Sequence, residues 1–260
     1  AVSYKDFLDY RSESSVLSDA IGYTPRVATL NAGGSTERIT LDLVTDNYFS
    51  VLGVQPAAGR LIRPDEGRAS GDAAVVVISY DYWQSRFGGD PSVVGRSVRF
   101  GNQPFTIIGV SSRSFRGTES LLRVSAYVPA WMIDSFMSFV PQQSIFEDRS
   151  ARMLVVLGRL KPAVSLEQAR ARLNIRAAQL ARDYPETHRN VMLRVVPETQ
   201  TRPSPEAGAF LHVAGTVLTA LAGVLVLITS ANVANLLMAR AATRSREVAL
   251  RAALGARRGR

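Results

Sequence analysis

The sequence predicts an α+β protein. A split βαβ, ferredoxin-like layer carries an inserted mixed α/β subdomain, and one transmembrane helix and a short cytoplasmic helix follow. Three observations carry this prediction. A strand–helix–strand pattern runs from Met153 to Val196, an all-apolar run at Val75–Ile78 marks a separate block, and residues 207–239 contain no charged side chain. The 260 residues include 46% hydrophobic side chains, ample for a packed core, and no cysteine, which removes any disulfide framework or thiolate metal site.

Ser3 caps a short helix to Ser12, with Asp6 three residues on and Tyr4, Phe7 and Leu8 on one side. Thr24–Leu30 reads as a strand, Asn31–Gly34 as a turn, and Ile39, Leu41 and Leu43 alternate with Thr40 and Asp42 as a second, half-buried strand. Asp46 is expected to cap a helix over Tyr48–Leu52 that Gly53 ends. Pro56, Gly59 and Pro64–Gly71 make a loop-rich connection.

The second block opens with Val75–Ile78, a strand buried on both faces. Ser79 caps a helix carrying Tyr82, Trp83 and Phe87, which Gly88-Gly89 ends. Ser97–Phe100, the turn Gly101-Asn102 and Phe105–Val110 form a hairpin, and Ala126–Val128 a further strand. Met132–Arg149 carries no clear pattern. In the third block Met153–Leu160 is a strand, and Ser165 with Gln168 forms a capping box for a helix to Tyr184. Leu166, Ala169, Leu173, Ala177, Leu180 and Tyr184 recur at helical spacing, with Arg170, Arg172, Arg176 and Arg182 on the remaining surface. Pro185 stops the helix, and Val191–Val196 is expected to be a strand. Residues 1–57 and 147–206 thus form the split layer and 58–146 the insertion, with Pro197, Pro203 and Pro205 stiffening the exit.

The charge-free segment decides the class. A bilayer core takes about 20 apolar helical residues. Val213, Val217, Leu218, Leu221 and Val224 to Ile228 each favour insertion by about 0.3–0.6 kcal/mol, together roughly 3–5 kcal/mol. Residues 207–239 therefore contain a span with its core at about 210–233. The net charge of +9 is uneven: 240–260 holds seven Arg against Glu247, or +6, and residues 1–206 hold 24 basic and 21 acidic groups, or +3. A nucleic-acid partner loses its footing there. Arginines directly after a span keep that end cytoplasmic. The expectation is an inner (cytoplasmic) membrane protein, residues 1–206 periplasmic or otherwise extracytoplasmic, and the C-terminus inside. The chain opens Ala1-Val2-Ser3 with no initiator Met or export signal, so it reads as a piece of a longer protein with a preceding span and more to follow.

These residues bear a resemblance. Asn47-Tyr-Phe-Ser-Val-Leu-Gly53, Gly59-Arg60, Val76-Val-Ile-Ser79 with Trp83, Phe87-Gly-Gly-Asp-Pro91 with Gly95, and Phe105-Thr-Ile-Ile-Gly-Val110 come in the order found in the MacB-like periplasmic core domain. Ala231-Asn-Val-Ala-Asn-Leu-Leu237 running to Arg246–Ala256 resembles the start of an FtsX-like permease domain. Each segment alone is weak; the ordered set is specific. The resemblance implies a fragment of an ABC transporter permease of the MacB/FtsX type, transmitting ATPase-driven conformational change to a periplasmic domain for efflux or export. It implies a Porter subdomain over 1–57 and 147–206 and a Sabre subdomain over 58–146. Its partners would be an ABC ATPase subunit, a second permease copy making a dimer, a periplasmic adaptor protein and the lipid bilayer. It also implies that Arg246, Glu247, Val248, Leu250, Arg251, Leu254 and Gly255, within 240–260, form the coupling helix that sits on the ATPase. Asn232 and Asn235 would make helix–helix contacts in the membrane. Ser230 departs from the Cys common in the family's motif, but Ser is small and also bonds across helices.

The residues alone support part of this. Glu247 and Arg251 stand i, i+4 in the favourable order, Gly255 is a helix stop, and Val248, Leu250 and Leu254 add an apolar component. A plainer reading makes the arginines topogenic, holding the span inside and touching anionic lipid. No G-x-x-x-x-G-K-[ST] loop exists and neither lysine follows a glycine, so no cofactor is expected in this chain and ATP falls to a partner subunit. His188 and His212 lie 24 apart with no metal-ligand partner at helical spacing; His188 is expected in a surface loop and His212 at the membrane interface. Ser79 before Asp81 is better explained as a cap than as a nucleophile, and no enzyme is expected. A membrane-anchored scaffold or sensor activating a partner protein is the alternative.

Overall fold

In the computed structural model Ser3 Oγ accepts from the Asp6 amide at 3.2 Å and opens helix α1, Tyr4–Arg11, as a Ser cap should. The structure describes residues 1–32, 34–64, 74–118, 123–136, 144–189, 191–200 and 205–254. The chain divides into two compact units, Ala1–Pro203 and Ser204–Arg260.

The first unit is mixed α/β and built on one eight-stranded sheet. Strand β1, Leu17–Ala32, pairs antiparallel with β2, Ser35–Val44, in a register from Ala32↔Ser35 to Tyr23↔Val44. β1 starts at Leu17 rather than at Thr24. The pattern hides its first half because Ala20 to Thr24 are all buried, and a strand covered on both faces shows no alternation. Helix α2, Tyr48–Leu52, begins at Asn47, not Asp46, and ends at Gly53 with φ 70°. Asp46 Oδ1 instead accepts from the Asn47 amide. The Asn47 side chain caps nothing: its Nδ2 donates to Asp19 Oδ1 and the Ala20 carbonyl, and its Oδ1 accepts from Thr45 Oγ1.

The second block supplies β3 (Pro56–Gly59), β4 (Val75–Ile78), α3 (Tyr80–Phe87), β5 (Ser97–Phe100), β6 (Gln103–Ser111) and β7 (Ala126–Pro129). Their pairings run β2–β7, β7–β4, β4–β6, β6–β5 and β5–β1. With β1–β2, six strands close a ring. The sheet therefore crosses the boundary drawn at residue 58. Leu41, Val76, Phe105, Ile107 and Val128, all nearly inaccessible, point into one core with Tyr82 and Trp83 of α3. On the other face Tyr48 and Phe49 of α2 pack with Val77, Phe115 and Tyr127. Most of the Pro64–Gly71 connection lies outside the described residues. Met132–Arg149 contains part of a 3-10 turn, Ala130–Phe136, and residues 137–143 fall outside the description.

The third block gives β8 (Val155–Leu160), which pairs antiparallel with β1, and α4 (Leu166–Asp183), whose capping box of Ser165 and Gln168 is fully formed. Pro185 opens a four-residue helix α5, Pro185–His188. The expected strand at Val191–Val196 is not one. Its side chains Leu193 and Val195 pack into the core under α1 and α4, and the Val195 carbonyl accepts from Arg170 Nε at 2.8 Å instead of from a ladder amide.

The second unit corrects the other expectation. The separate transmembrane and cytoplasmic helices are one unbroken helix α6, Pro205–Ala253, of 49 residues. At 1.5 Å per residue it is about 74 Å long. The junction holds Ala241, Ala242 and other helix formers with neither Gly nor Pro between Ala239 and Arg246, so nothing interrupts the ladder.

Candidate functional site

The motif segments of the first unit resolve into packing. Gly59 pairs with Gly109 where β3 crosses β6. A Cβ on Gly59 would meet the Ile108 carbonyl oxygen at 2.4 Å, and one on Gly109 the Arg60 carbonyl oxygen at 2.1 Å, so both strands need glycine there. Trp83 Nε1 donates to the Asp90 carbonyl at 2.9 Å, which fixes the Phe87–Pro91 turn against α3. Ser79 Oγ accepts from the Tyr82 amide and is a helix cap. A small apolar cavity lined by Tyr4, Leu43, Ala130, Ile133, Phe146 and Leu154 measures about 10 Å3, room for one water-sized body.

The polar chemistry of this unit sits where the sequence reading did not look. On and just past α1, Asp6, Asp9 and Glu13 line up at i, i+3 and i+7. Arg149 Nη1 donates to Asp6 Oδ1 at 2.6 Å and to Asp9 Oδ2 at 2.8 Å. Arg176 Nη2 reaches Asp9 at 2.6 Å and Arg172 Nε reaches Glu13 at 2.8 Å, both from α4. The Arg149 guanidinium also lies over the Tyr184 ring, 4.0 Å from its centroid. His188 is not a surface-loop residue: it is 3% exposed, with Nε2 2.9 Å from Asp6 Oδ2 and Nδ1 2.8 Å from Thr187 Oγ1. The acid spacing and the i, i+4 pair Arg172/Arg176 were readable, but which chain segments they join was not. Beside them, burial first and then the charges of Asp6 and Asp9 push the Tyr10 phenol up to about 12. Among the described residues no group of three His, Cys, Asp or Glu is placed to hold a metal ion.

α6 carries the residues singled out from sequence. Its stretch Val213–Arg251 is long and apolar enough to cross a membrane. Thr219 Oγ1 donates to the Gly215 carbonyl and Thr229 Oγ1 to that of Leu225, so these hydroxyls are satisfied within the helix. Asn232 and Asn235 are exposed. On an ideal helix they share a sector of about 60° with Ala239, Arg246 and Leu250. Glu247 and Arg251 form the i, i+4 ion pair, with Arg251 Nη2 2.6 Å from Glu247 Oε1. Val248 and Leu250 are exposed, Leu254 sits just past the helix end at 82% exposure, and Gly255 lies outside the described residues. The side chain of His212 also lies outside them.

Comparison with known proteins gives a consistent result. Residues 2–175 match the family described as MacB-like periplasmic core domain. The macrolide export ATP-binding/permease protein MacB of Neisseria gonorrhoeae is 29% identical over 119 residues, 45% of this chain and 18% of that protein. The same figures hold for MacB of Neisseria meningitidis serogroup B. The chain thus covers less than a fifth of these relatives. The periplasmic region of MacB from Actinobacillus actinomycetemcomitans superposes with a TM-score of 0.52 at 17% identity, covering 72% of this chain and 77% of that one. A domain of a putative permease from Porphyromonas gingivalis does so at 0.54 and 19%, covering 72% and 75%. At these identities the two structures speak for the fold. The family match stops before α6.

Proposed function

The chain belongs to the MacB-like periplasmic core domain family, and from that premise we propose that it is the extracytoplasmic domain and following membrane helix of a MacB/FtsX-type ABC transporter permease. The observation that carries this reading is continuity. A domain of this family leads, through residues 201–204, into a helix long enough to cross a bilayer, with arginines at its far end. The inner-membrane location, with 1–206 outside and 240–260 inside, rests on those arginines.

In the mechanism that follows, a partner ATPase binds ATP and pushes on Arg246, Glu247, Val248, Leu250, Arg251, Leu254 and Gly255. α6 is unbroken between these residues and the span, so a push along its axis is not absorbed by a hinge. The outer domain then moves by hinge or shear and drives efflux or export from the periplasmic side. The Porter-like part is 1–57 with 147–206, and the Sabre-like part 58–146. One sheet runs through both parts and each face's core draws residues from both, so the two parts are not independent globules. Asn232 and Asn235, on the same side of the helix as Arg246 and Leu250, suit contacts with neighbouring helices or a second permease copy. An adaptor protein would meet the outer domain.

The test is a pull-down of the full-length protein from mild detergent, comparing wild type with Glu247→Arg and Arg251→Glu. A co-purifying ATPase that both substitutions lose supports the coupling role. An ATPase that neither loses removes that role from these residues. No ATPase with the wild type moves the reading to a membrane-anchored scaffold or sensor.

A further inference from the structure

We propose that Arg240 and Arg244 of α6 form a binding site for the phosphate groups of anionic phospholipid, distinct in depth from the segment 246–255. The inference rests on reading α6 as a membrane span. The unbroken helix fixes where each arginine stands. Leu236, Leu237 and Met238, each about 60% exposed, carry the apolar surface to within two residues of Arg240. Arg240 therefore marks the edge of the apolar column. Arg244 is one turn further, about 6 Å along the axis and about 40° around it, so both guanidiniums face the same side. A headgroup layer is about 5–7 Å deep on each side of the hydrocarbon. The two cations fit within it.

Arg246 and Arg251 do not share that position. Arg246 stands about 9 Å beyond Arg240 and about 120° away around the helix, and Arg251 about 16 Å beyond. Arg251 is also bound to Glu247, whereas Arg240 and Arg244 have no ion-pair partner among the described residues. A guanidinium is a planar fork that meets a phosphate with two donors, and α6 presents two such forks one turn apart. The charge-free run 207–239 spans about 50 Å, well over a 30 Å core, so the helix has apolar length to spare and can tilt or slide until the pair meets the phosphates. The tail then has two tasks at two depths: lipid at 240–244, and the docking surface beyond it.

The experiment reconstitutes the full-length protein in nanodiscs of phosphatidylcholine mixed with phosphatidylglycerol and reads retained lipid by native mass spectrometry. Wild type should keep phosphatidylglycerol over phosphatidylcholine. Arg240→Gln should reduce that preference about fivefold, and Arg240→Gln/Arg244→Gln by about twenty- to thirty-fold. Arg251→Gln should leave it unchanged. Arg240→Lys/Arg244→Lys keeps the charge and most of the preference, which guards against a variant that merely fails to insert. An unchanged preference in the double Gln variant overturns the proposal, as does an equal loss in Arg251→Gln. Inorganic phosphate that displaces the lipid would show a free-anion site instead. Release of wild type by alkaline carbonate would sink the span reading itself, while absence of an ATPase in the pull-down leaves this lipid site standing.

Discussion

Two helices of this chain are rich in arginine, and they treat it differently. On α4, Arg170 is tied to the Val195 carbonyl, Arg172 to Glu13 and Arg176 to Asp9. On α6, Arg240, Arg244 and Arg246 meet no acid among the described residues, and only Arg251 is paired, with its own neighbour Glu247. The first helix lies on a core in which Leu180 is 1% exposed; the second shows Leu225 at 63% exposure. α4 is completed by the protein around it. On the proposed reading α6 is completed by the bilayer and neighbouring helices, so the same residue type serves as internal rivet in one helix and external contact in the other.

The largest effect should come from removing the hub of the α1–α4 network. Asp6→Ala leaves Arg149 and His188 facing a buried gap and should cost about 3–5 kcal/mol, read as an earlier urea midpoint in detergent. An unaffected midpoint would make the network decorative and blur the contrast between the helices. Next, Leu180→Ala should cost about 2–5 kcal/mol, while Leu225→Ala on the exposed helix should stay near ~0.5 kcal/mol. Equal costs would mean that α6 is buried in the folded protein itself.

The third prediction concerns alkaline pH. Tyr10 titrates near 12 when folded against 10.0 in the unfolded chain, so between these values the native state holds the extra proton. Stability contributed here is intact below pH ~10 and is lost as pH rises toward ~12. Tyr10→Phe should flatten that decline in unfolding titrations; an unaltered slope would place the loss elsewhere. Smallest is Glu247→Gln, which removes an exposed i, i+4 pair and should cost only about 0.3–0.5 kcal/mol of helix stability, seen as faster amide exchange over 247–251.

What the sequence made legible was local. The caps at Ser3, Ser79 and Ser165, the stops at Gly53 and Gly88, and the hairpin at Gly101-Asn102 each depend on a few adjacent residues, and each stands where the spacing puts it. Errors arose where a distant partner decides. The helix expected to be capped by Asp46 takes Asn47 as its N-cap instead, and the Asn47 side chain gives it no hydrogen bond because Asp19 and Ala20, almost thirty positions earlier, claim its amide. Val191–Val196 has strand composition, but Arg170 takes one of its carbonyls and the core takes its side chains. His188 looked like loop because nothing near it in sequence is acidic at the right spacing, while Asp6 waits 182 residues away. The ring of strands was invisible for the same reason: its closure needs Leu30 beside Phe100 and Leu41 beside Ala126.

That ring has a bearing on how copies of the protein behave when crowded. A sheet that closes on itself offers no open row of amides and carbonyls along most of its circumference, and such rows are what recruit foreign strands into aggregates. Among the described strands only β3 and β8 have a single partner strand. β3 is four residues long and begins with proline, a poor template for extension. β8 begins beside the Val2–Leu154 bridge and carries Gly158 and the exposed Arg159 further along, which leaves a short, charged and irregular rim. Among the described strands that have a single partner strand, β8, six residues long, is the longer edge open to unwanted strand-to-strand association.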